Sequence, residues 1–345
     1  MNDLDVVVAG AGPVGLACAI EAARRGLSVA VIEPRSTPVD KACGEGLMPG
    51  AVAALDRLGA RPEGVPFRGI AYVGPDQVAR HAFRAGPGLG VRRTELQAAL
   101  SRRADELGVE RVEGRVEAID QDAERVRVCG RTAGWLLACD GLHSPIRRLL
   151  GLDPPAAAEG GQRRFGQRRH AALAPWSDYV EVHWSPLAEA YVTPVGPDLV
   201  GVAVLAAGGS SYDDLLAQVP TLRERLAGAD WVTPVRGAGP LRQSVRRRVA
   251  GRVLLVGDAA GYVDALTGEG IRTGLACAQA AIAAIVTTDP AAYERDWRRL
   301  TRSYRILTSG LLLATRPQIV RRHISGAASL LPPVFGRAVE ALAVG

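Results

Sequence analysis

An α/β fold in three layers, interrupted by an inserted antiparallel sheet, is what the sequence predicts, and three observations carry that prediction. Apolar strands run straight into glycine-bearing turns at three places far apart along the chain. Val6-Val7-Val8 leads into residues 10–15, residues 134–138 lead into Asp140-Gly141, and residues 252–256 lead into Gly257-Asp258. Between the second and third of these lies a run of short segments alternating apolar and polar residues. Strands interleaved with helical patterns belong to parallel sheets, whereas alternating strands joined by tight turns belong to antiparallel ones.

The opening, DVVVAGAGPVG, is the strand–turn–helix start of a Rossmann-like dinucleotide site. Gly10 serves the tight turn, Gly12 lets backbone approach a pyrophosphate, and Gly15 allows close packing of helix on strand. The helix N-terminus presents free N–H groups and a positive dipole end to phosphates, so Pro13 also falls within the cofactor-binding set. Leu16, Ala19, Ile20 and Ala23 give the apolar helical pattern, which stops at Arg24-Arg25-Gly26. A second strand over residues 28–32 ends in Glu33, 23 residues after Gly10, where an acid meets a ribose hydroxyl. Arg35 follows as a further candidate for the same site.

Residues 34–49 read as a loop holding the chain's single lysine, Lys41, together with Cys43 and Glu45 among glycines. A helix follows over residues 50–58, then hairpin strands at 69–73 and 78–83. A helix opening at Arg92-Arg93 shows an apolar face of Leu96, Ala99, Leu100 and Ala104. Strands are expected at 109–112, 115–120, 125–129 and 134–138. Beyond residue 161 come alternating segments at 179–184, 189–194 and 199–205, separated by Ser-Pro and Gly-Pro-Asp turns. A strand reappears at 252–256, a glycine-rich bend (Gly268, Gly270) opens a helix near Ile271, and helices dominate thereafter. The expected organisation is therefore a first part of the cofactor domain over 1–160 and a substrate sheet over 161–241, to which 66–90 contributes. The cofactor domain then completes itself over 242–290, and a helical segment follows over 291–345.

Composition narrows the class. The 345 residues are 48% hydrophobic and 23% charged, as in a soluble globular protein. The net charge is +6, yet the arginines are scattered and lack the interleaved aromatics of a strand-binding surface, so no nucleic-acid partner is expected. Five cysteines without any CxxC pair indicate neither a disulfide framework nor a metal site. The apolar helical stretches at 274–287 and 306–314 are shorter than the ~18 residues of a membrane span. The N-terminal apolar run lacks a signal peptide's basic start. A cytoplasmic monomer or homodimer acting on a small molecule is expected, with residues 316–322 as a solvated helix face.

A carboxylate at a strand end, as at Asp258, suits sugar-chain hydroxyls, and a helix N-terminus aimed at a ring system stabilises negative charge there. Together the three glycine-bearing stretches resemble the FAD-dependent oxidoreductases of the aromatic-hydroxylase (group A flavin monooxygenase) and geranylgeranyl-reductase superfamily. The resemblance covers residues 1 to about 300 and implies FAD, with NADPH or NADH as reductant. It implies that Gly10, Gly12, Gly15 and Glu33 hold the ADP half and that Gly257 and Asp258 meet the ribityl and ribose hydroxyls. It also implies that Asp140, Gly141, Ser144 and Arg147 touch FAD and the nicotinamide cofactor, and that Arg93, in an arginine-x-x-leucine helix, contacts the flavin phosphate region. Gly268, Gly270 and Ile271 would approach the flavin ring.

Hydroxylases of this family carry a histidine after GDAA and a proline before the terminal Gly-x-Gly, whereas this chain has Gly261 and Asp264-Ala265. That departure looks more like the reductase and halogenase side. The WxWxIP block of the halogenases is missing; Cys43-Gly44-Glu45-Gly46 resembles the cysteine-glycine motif of the reductases, and Tyr191-Val192-Thr193-Pro194 partly echoes their aromatic strand. Lys41, Cys43 and Glu45 are the catalytic candidates, and His183, Tyr191 and Pro194 the substrate-facing ones. The expected activity is an NAD(P)H-dependent monooxygenase hydroxylating a small apolar, aromatic or polyketide-like metabolite. The alternatives are a reductase of prenyl double bonds and a non-catalytic flavin-binding redox sensor.

Overall fold

The computed structural model describes residues 3–155 and 163–344. The chain opens with β1 (Leu4–Ala9), α1 (Pro13–Ala23) and β2 (Val29–Glu33). There follow α2 (Pro49–Leu58), the hairpin β3 (Gly69–Val73) and β4 (Val78–Ala82), α3 (Arg93–Glu106), β5 (Glu110–Glu113), β6 (Arg131–Ala138) and α4 (Pro145–Leu149). Four long strands come next: β7 (Arg164–Ala172), β8 (Tyr179–Trp184), β9 (Ala188–Gly196) and β10 (Leu199–Ala207). Two short helices, α5 (Tyr212–Leu216) and α6 (Pro220–Arg225), precede β11 (Val253–Leu255). The chain finishes with α7 (Gly270–Val286), α8 (Pro290–Ala314), α9 (Gln318–Leu330) and α10 (Pro332–Val344).

The first sheet runs β11-β6-β1-β2-β5, all parallel, with Val249–Ala250 antiparallel on its edge. Val6, Val7 and Val8 are wholly buried because both faces of this sheet are covered, which is why the strand is continuously apolar rather than alternating. Ala9 lies level with Ile32 on one side and Ala138 on the other, and Ala138 lies level with Leu255. The turns that leave β1, β2, β6 and β11 therefore emerge along one edge of the sheet, although 245 positions separate Gly10 from Leu255 in sequence. Open parallel sheets bind ligands at this carboxyl edge.

The second sheet has the order β7-β10-β9-β8-β3-β4 and is antiparallel except where β8 runs parallel to β3. The hairpin from residues 69–82 thus extends a sheet whose other strands start almost a hundred residues later. One face of it is capped by α5 and α6, with Tyr212, Leu215 and Leu222 packed on Val192, Val202 and Val204. The other face looks toward the carboxyl edge of the first sheet. Strand β7 had no counterpart among the sequence expectations. Residues 115–119, expected as strand, are not one; only Asp120–Gln121 and Val126–Val128 form a small antiparallel extension on β6.

Candidate functional site

A cavity of about 800 Å³ lies between the two sheets. Its floor is the carboxyl edge of the first sheet, where Gly12, Pro13, Asp140, Gly141 and Asp258 meet. Its wall is the second sheet, and Gly268, Gly270 and Ile271 bring the N-terminus of α7 to it.

The geometry of the first turn leaves glycine no substitute at two positions. Gly10 sits at φ +106°, a conformation L side chains rarely adopt, and a Cβ on Gly15 would stand 1.9 Å from the Gly10 carbonyl oxygen. Ala11 N donates to Glu33 Oε2 at 2.9 Å, so the carboxylate at the end of β2 braces the turn. Arg35 donates to the same carboxylate from Nε (2.7 Å) and Nη2 (3.1 Å). Burial would raise Glu33, yet the Arg35 bonds and the Ala11 amide hold its carboxyl below the ordinary value. The turn has a second brace that the sequence reading missed. Buried Gln97 donates to the Ala11 carbonyl at 2.6 Å and accepts from Val39 N, tying α3 to both the turn and the loop after β2.

Arg93 stands where a diphosphate would need it. It is buried, its Nη2 would be 3.7 Å from a Cβ on Gly12, and its Nη1 has no hydrogen-bond partner among the described residues. Burial lowers its pKa, with Cys43 and Asp258 opposing. A buried guanidinium with an unused donor, facing the free amides of a helix N-terminus, is an anion site. Asp258 shares the cavity; burial pushes its carboxyl up, while Lys41 and Arg93 pull it down. The third stretch meets the first directly, since a Cβ on Gly257 would lie 3.1 Å from Val14 Cγ1. These features fit FAD: Gly12 and Arg93 would meet its diphosphate, and Asp258 its hydroxyl-rich ribityl chain.

The loop holding Lys41, Cys43 and Glu45 forms the cavity's near wall. Lys41 Nζ would be 3.1 Å from a Cβ on Gly141. Desolvation at that wall, then Arg35, lowers its pKa. Cys43 is raised by burial and by the charge of Glu45. Glu45 adopts φ +60° and is buried. Its Oε1 accepts from Arg93 N at 2.8 Å, and its Oε2 lies 2.7 Å from His170 Nε2. Arg168 Nη1, a donor only, lies 3.2 Å from His170 Nδ1, and the Thr233 hydroxyl lies 3.0 Å from the same atom. Arg168 also bonds Asp40 and the Lys41 carbonyl (3.1 Å), and Thr193 Oγ1 donates to the Gly44 carbonyl at 2.8 Å. Glu45 is thus the hub that fastens the loop to α3 and β7, while the Gly44 carbonyl ties it to β9.

Several expected residues lie elsewhere. Strand parity turns Val180 and Val182 to the cavity and His183 away from it, where His183 Nε2 bonds Glu181 Oε2 at 3.1 Å. The same alternation on β9 brings Tyr191 and Thr193 to the cavity and leaves Pro194 behind it. Ser144 caps α4 by accepting from Arg147 N at 2.9 Å. Arg147 is buried on Asp153 (2.5 Å) and Gln243 (2.8 Å), and its Nη2 donates to the Leu142 carbonyl at 3.3 Å, next to the Asp140-Gly141 turn. Gly257 packs on Val14 beside the cavity rather than lining it. Tyr191 does line it, with its hydroxyl donating to the Leu266 carbonyl at 3.0 Å. Residues 316–322 are not uniformly solvated, since Arg321 is buried on Glu189 at 2.6 Å.

Fold and site together define a flavin-dependent oxidoreductase. The chain belongs to the FAD binding domain family, whose model matches residues 3–197. It is 30% identical to a menaquinone reductase of Mycolicibacterium smegmatis across 92% of this chain and 86% of that protein. It is 30% identical to digeranylgeranylglycerophospholipid reductase 1 of Methanopyrus kandleri, across 81% of this chain and 79% of that one. With the 12-dehydrotetracycline 5-monooxygenase/anhydrotetracycline 6-monooxygenase of Streptomyces rimosus it shares 31% identity across 78% of this chain and 60% of that protein. Its fold matches the crystal structure of p-nitrophenol 4-monooxygenase from Pseudomonas putida with a TM-score of 0.75 at 20% identity, covering 100% of this chain and 96% of that one.

Proposed function

We propose that this protein is an FAD-dependent reductase that saturates carbon–carbon double bonds in the isoprenoid chain of a lipid or quinone, with NAD(P)H as the source of electrons. The observation that carries this reading is the polarity gradient of the cavity. Its end at Gly12, Arg93 and Asp258 is charged, whereas its far end, at Phe67, Ile70, Tyr72, Val180, Val339 and Leu342, is apolar. An apolar chain can lie along that far end without leaving polar groups unpaired.

Bound FAD, once reduced by NAD(P)H, would supply the hydride; saturation of a double bond also consumes a proton. Cys43 is placed to hold that proton, because burial and the neighbouring Glu45 charge keep its thiol protonated at neutral pH. Glu45 acts through position, since its oxygens are committed to Arg93 N and His170. The likeness to two reductases over most of their own lengths supports the same reading, as does Cys43-Gly44 at the cavity wall. Hydroxylation of an aromatic or polyketide-like substrate is the second reading, on the likeness to the Streptomyces rimosus monooxygenase.

One experiment separates them. Holoenzyme is incubated with NAD(P)H and a geranylgeranyl-bearing lipid under nitrogen and under air. Gain of two hydrogens per double bond without oxygen supports reduction. Oxygen uptake coupled to a tetracycline-like phenol, with no anaerobic turnover of the lipid, overturns it in favour of hydroxylation.

A further inference from the structure

The end of the chain carries a feature that the flavin site does not use. Eight of the 42 basic residues but one of the 36 acidic residues lie from Trp297 onward, so this segment carries +7 and the rest of the chain is close to neutral. The one carboxylate, Glu340, is turned inward, where it bonds His81 Nε2 at 2.8 Å and Arg84 N at 3.0 Å. Arg316, Arg322 and Arg337 are exposed and have no carboxylate partner among the described residues.

Within this segment the outer face of α9 carries apolar residues while a charge is buried. Helix α9 buries Arg321 and Ser325 and exposes Ile319 at 61% and Leu330 at 79%. Leu331 (56%) and Val334 (61%) continue the apolar strip around the corner into α10. An exposed apolar strip flanked by unpaired arginines is the pattern of a helix that lies in a lipid interface, with cations at the headgroups and aliphatic side chains beneath them. No helix of the described residues is long and apolar enough to cross a membrane. Behind the strip, α10 reaches the cavity. Phe335 and Val339 pack inward on Phe67 and Val180, and Val339 and Leu342 line the cavity itself.

We propose that the outer face of α9 and α10 docks on an anionic phospholipid surface, and that α10 forms the gate through which an apolar chain passes from that surface into the cavity. Docking is independent of the reaction catalysed; only the gate rests on the reading of an apolar substrate. A second copy of the chain is the weaker occupant, because a two-fold contact would set the same unpaired arginines against themselves.

The test is co-sedimentation of the FAD-loaded protein with vesicles of phosphatidylcholine alone or mixed with phosphatidylglycerol. Binding should be confined to the anionic vesicles and weaken as salt is raised, because exposed charges are screened within about 10 Å at 0.1 M salt. Replacing Arg322→Glu and Arg337→Glu together should lower the partition constant by about tenfold or more. Ile319→Ser with Leu330→Ser should lower it as well, while flavin absorbance and far-ultraviolet dichroism stay unchanged in both variants. Equal sedimentation with both vesicle types, or binding indifferent to salt, overturns the proposal. So does a dimer in light scattering that the Ile319/Leu330 variant dissolves. Docking that survives while isoprenoid turnover fails would overturn the gate and the reductase reading but leave the docking surface standing.

Discussion

Arg93 and Glu33 show how single side chains set the affinity of this site. Arg93 keeps a donor unused among the described residues and faces the helix N-terminus at Gly12, and we propose that its role is to meet an anion. A hydrogen bond to a charged group contributes about 1.5–3 kcal/mol. We expect Arg93→Ala to weaken FAD binding by roughly 10- to 100-fold with the fold intact, measured by flavin fluorescence titration beside circular dichroism. An unchanged dissociation constant would remove Arg93 from the site. Glu33 sets a pH dependence. Its carboxyl is lowered in the folded protein, against the effect of burial, by Arg35 and the Ala11 amide. A lowered acid contributes stability above its unfolded value, ordinarily 4.5, and loses it as pH falls through the folded value. Glu33→Gln should therefore flatten the fall of the urea midpoint below pH 4.5, and parallel wild-type and variant curves would contradict this. Gly10, Gly12 and Asp258 were marked in the sequence because each belongs to a local pattern of strand, turn and helix, whereas Arg93 entered through the family resemblance. The Glu45–His170–Arg168 hub was not, since His170 lies 125 positions from Glu45 and nothing local marks their meeting.

At the scale of elements, the lesson comes from parity and from inversion. The sequence marked the alternation of residues 179–184 and 189–194, and both are strands. Alternation divides a strand into two faces but does not say which looks at a ligand when both are buried, and so His183 and Pro194 were assigned to the wrong side. Strand β7 escaped notice because Arg168 and His170 interrupt its apolar pattern, being buried as partners of the loop at Glu45 rather than as core. Helix α9 inverts the usual rule. Arg321 is held by Glu189 at 2.6 Å and by the Ser185 carbonyl at 2.9 Å, and Glu189 also meets Arg164 at 2.7 Å. Removing one partner of a buried ion pair typically costs 3–5 kcal/mol. Because Arg164 still faces Glu189, we expect Arg321→Ala to lose about 3 kcal/mol in chemical denaturation. A loss under about 1 kcal/mol would mean that the pair contributes little to docking α9 on the second sheet.

For the whole molecule, the cavity's floor is assembled from turns near residues 12, 140 and 258 on one sheet edge. A ligand that bridges them binds the folded state alone and stabilises it by mass action. At a free FAD concentration 100 times the dissociation constant, unfolding should become harder by about 2.7 kcal/mol, read as a shift in the urea midpoint with apoprotein as reference. If FAD leaves that midpoint unmoved, the three turns do not share one ligand. The parallel order of the first sheet was readable from sequence, since apolar strands alternated with helical patterns. The placement of β3 and β4 beside β8 was less so, because pairing between segments a hundred residues apart depends on the surface each finds rather than on its own sequence.

The late arrival of β11 bears on biosynthesis. Val253–Leu255, with the short Val249–Ala250 strand paired outside it, completes a sheet whose remaining strands have left the ribosome long before, and Asp258 comes directly after it. While translation is under way, the emerging N-terminal half therefore exposes one unpaired flank of β6 and owns two of the three turns. Coenzyme capture must wait until synthesis has passed the long interruption by the second sheet, so a truncated product stalled within β7 to β10 would be both colourless and open to edge-to-edge association.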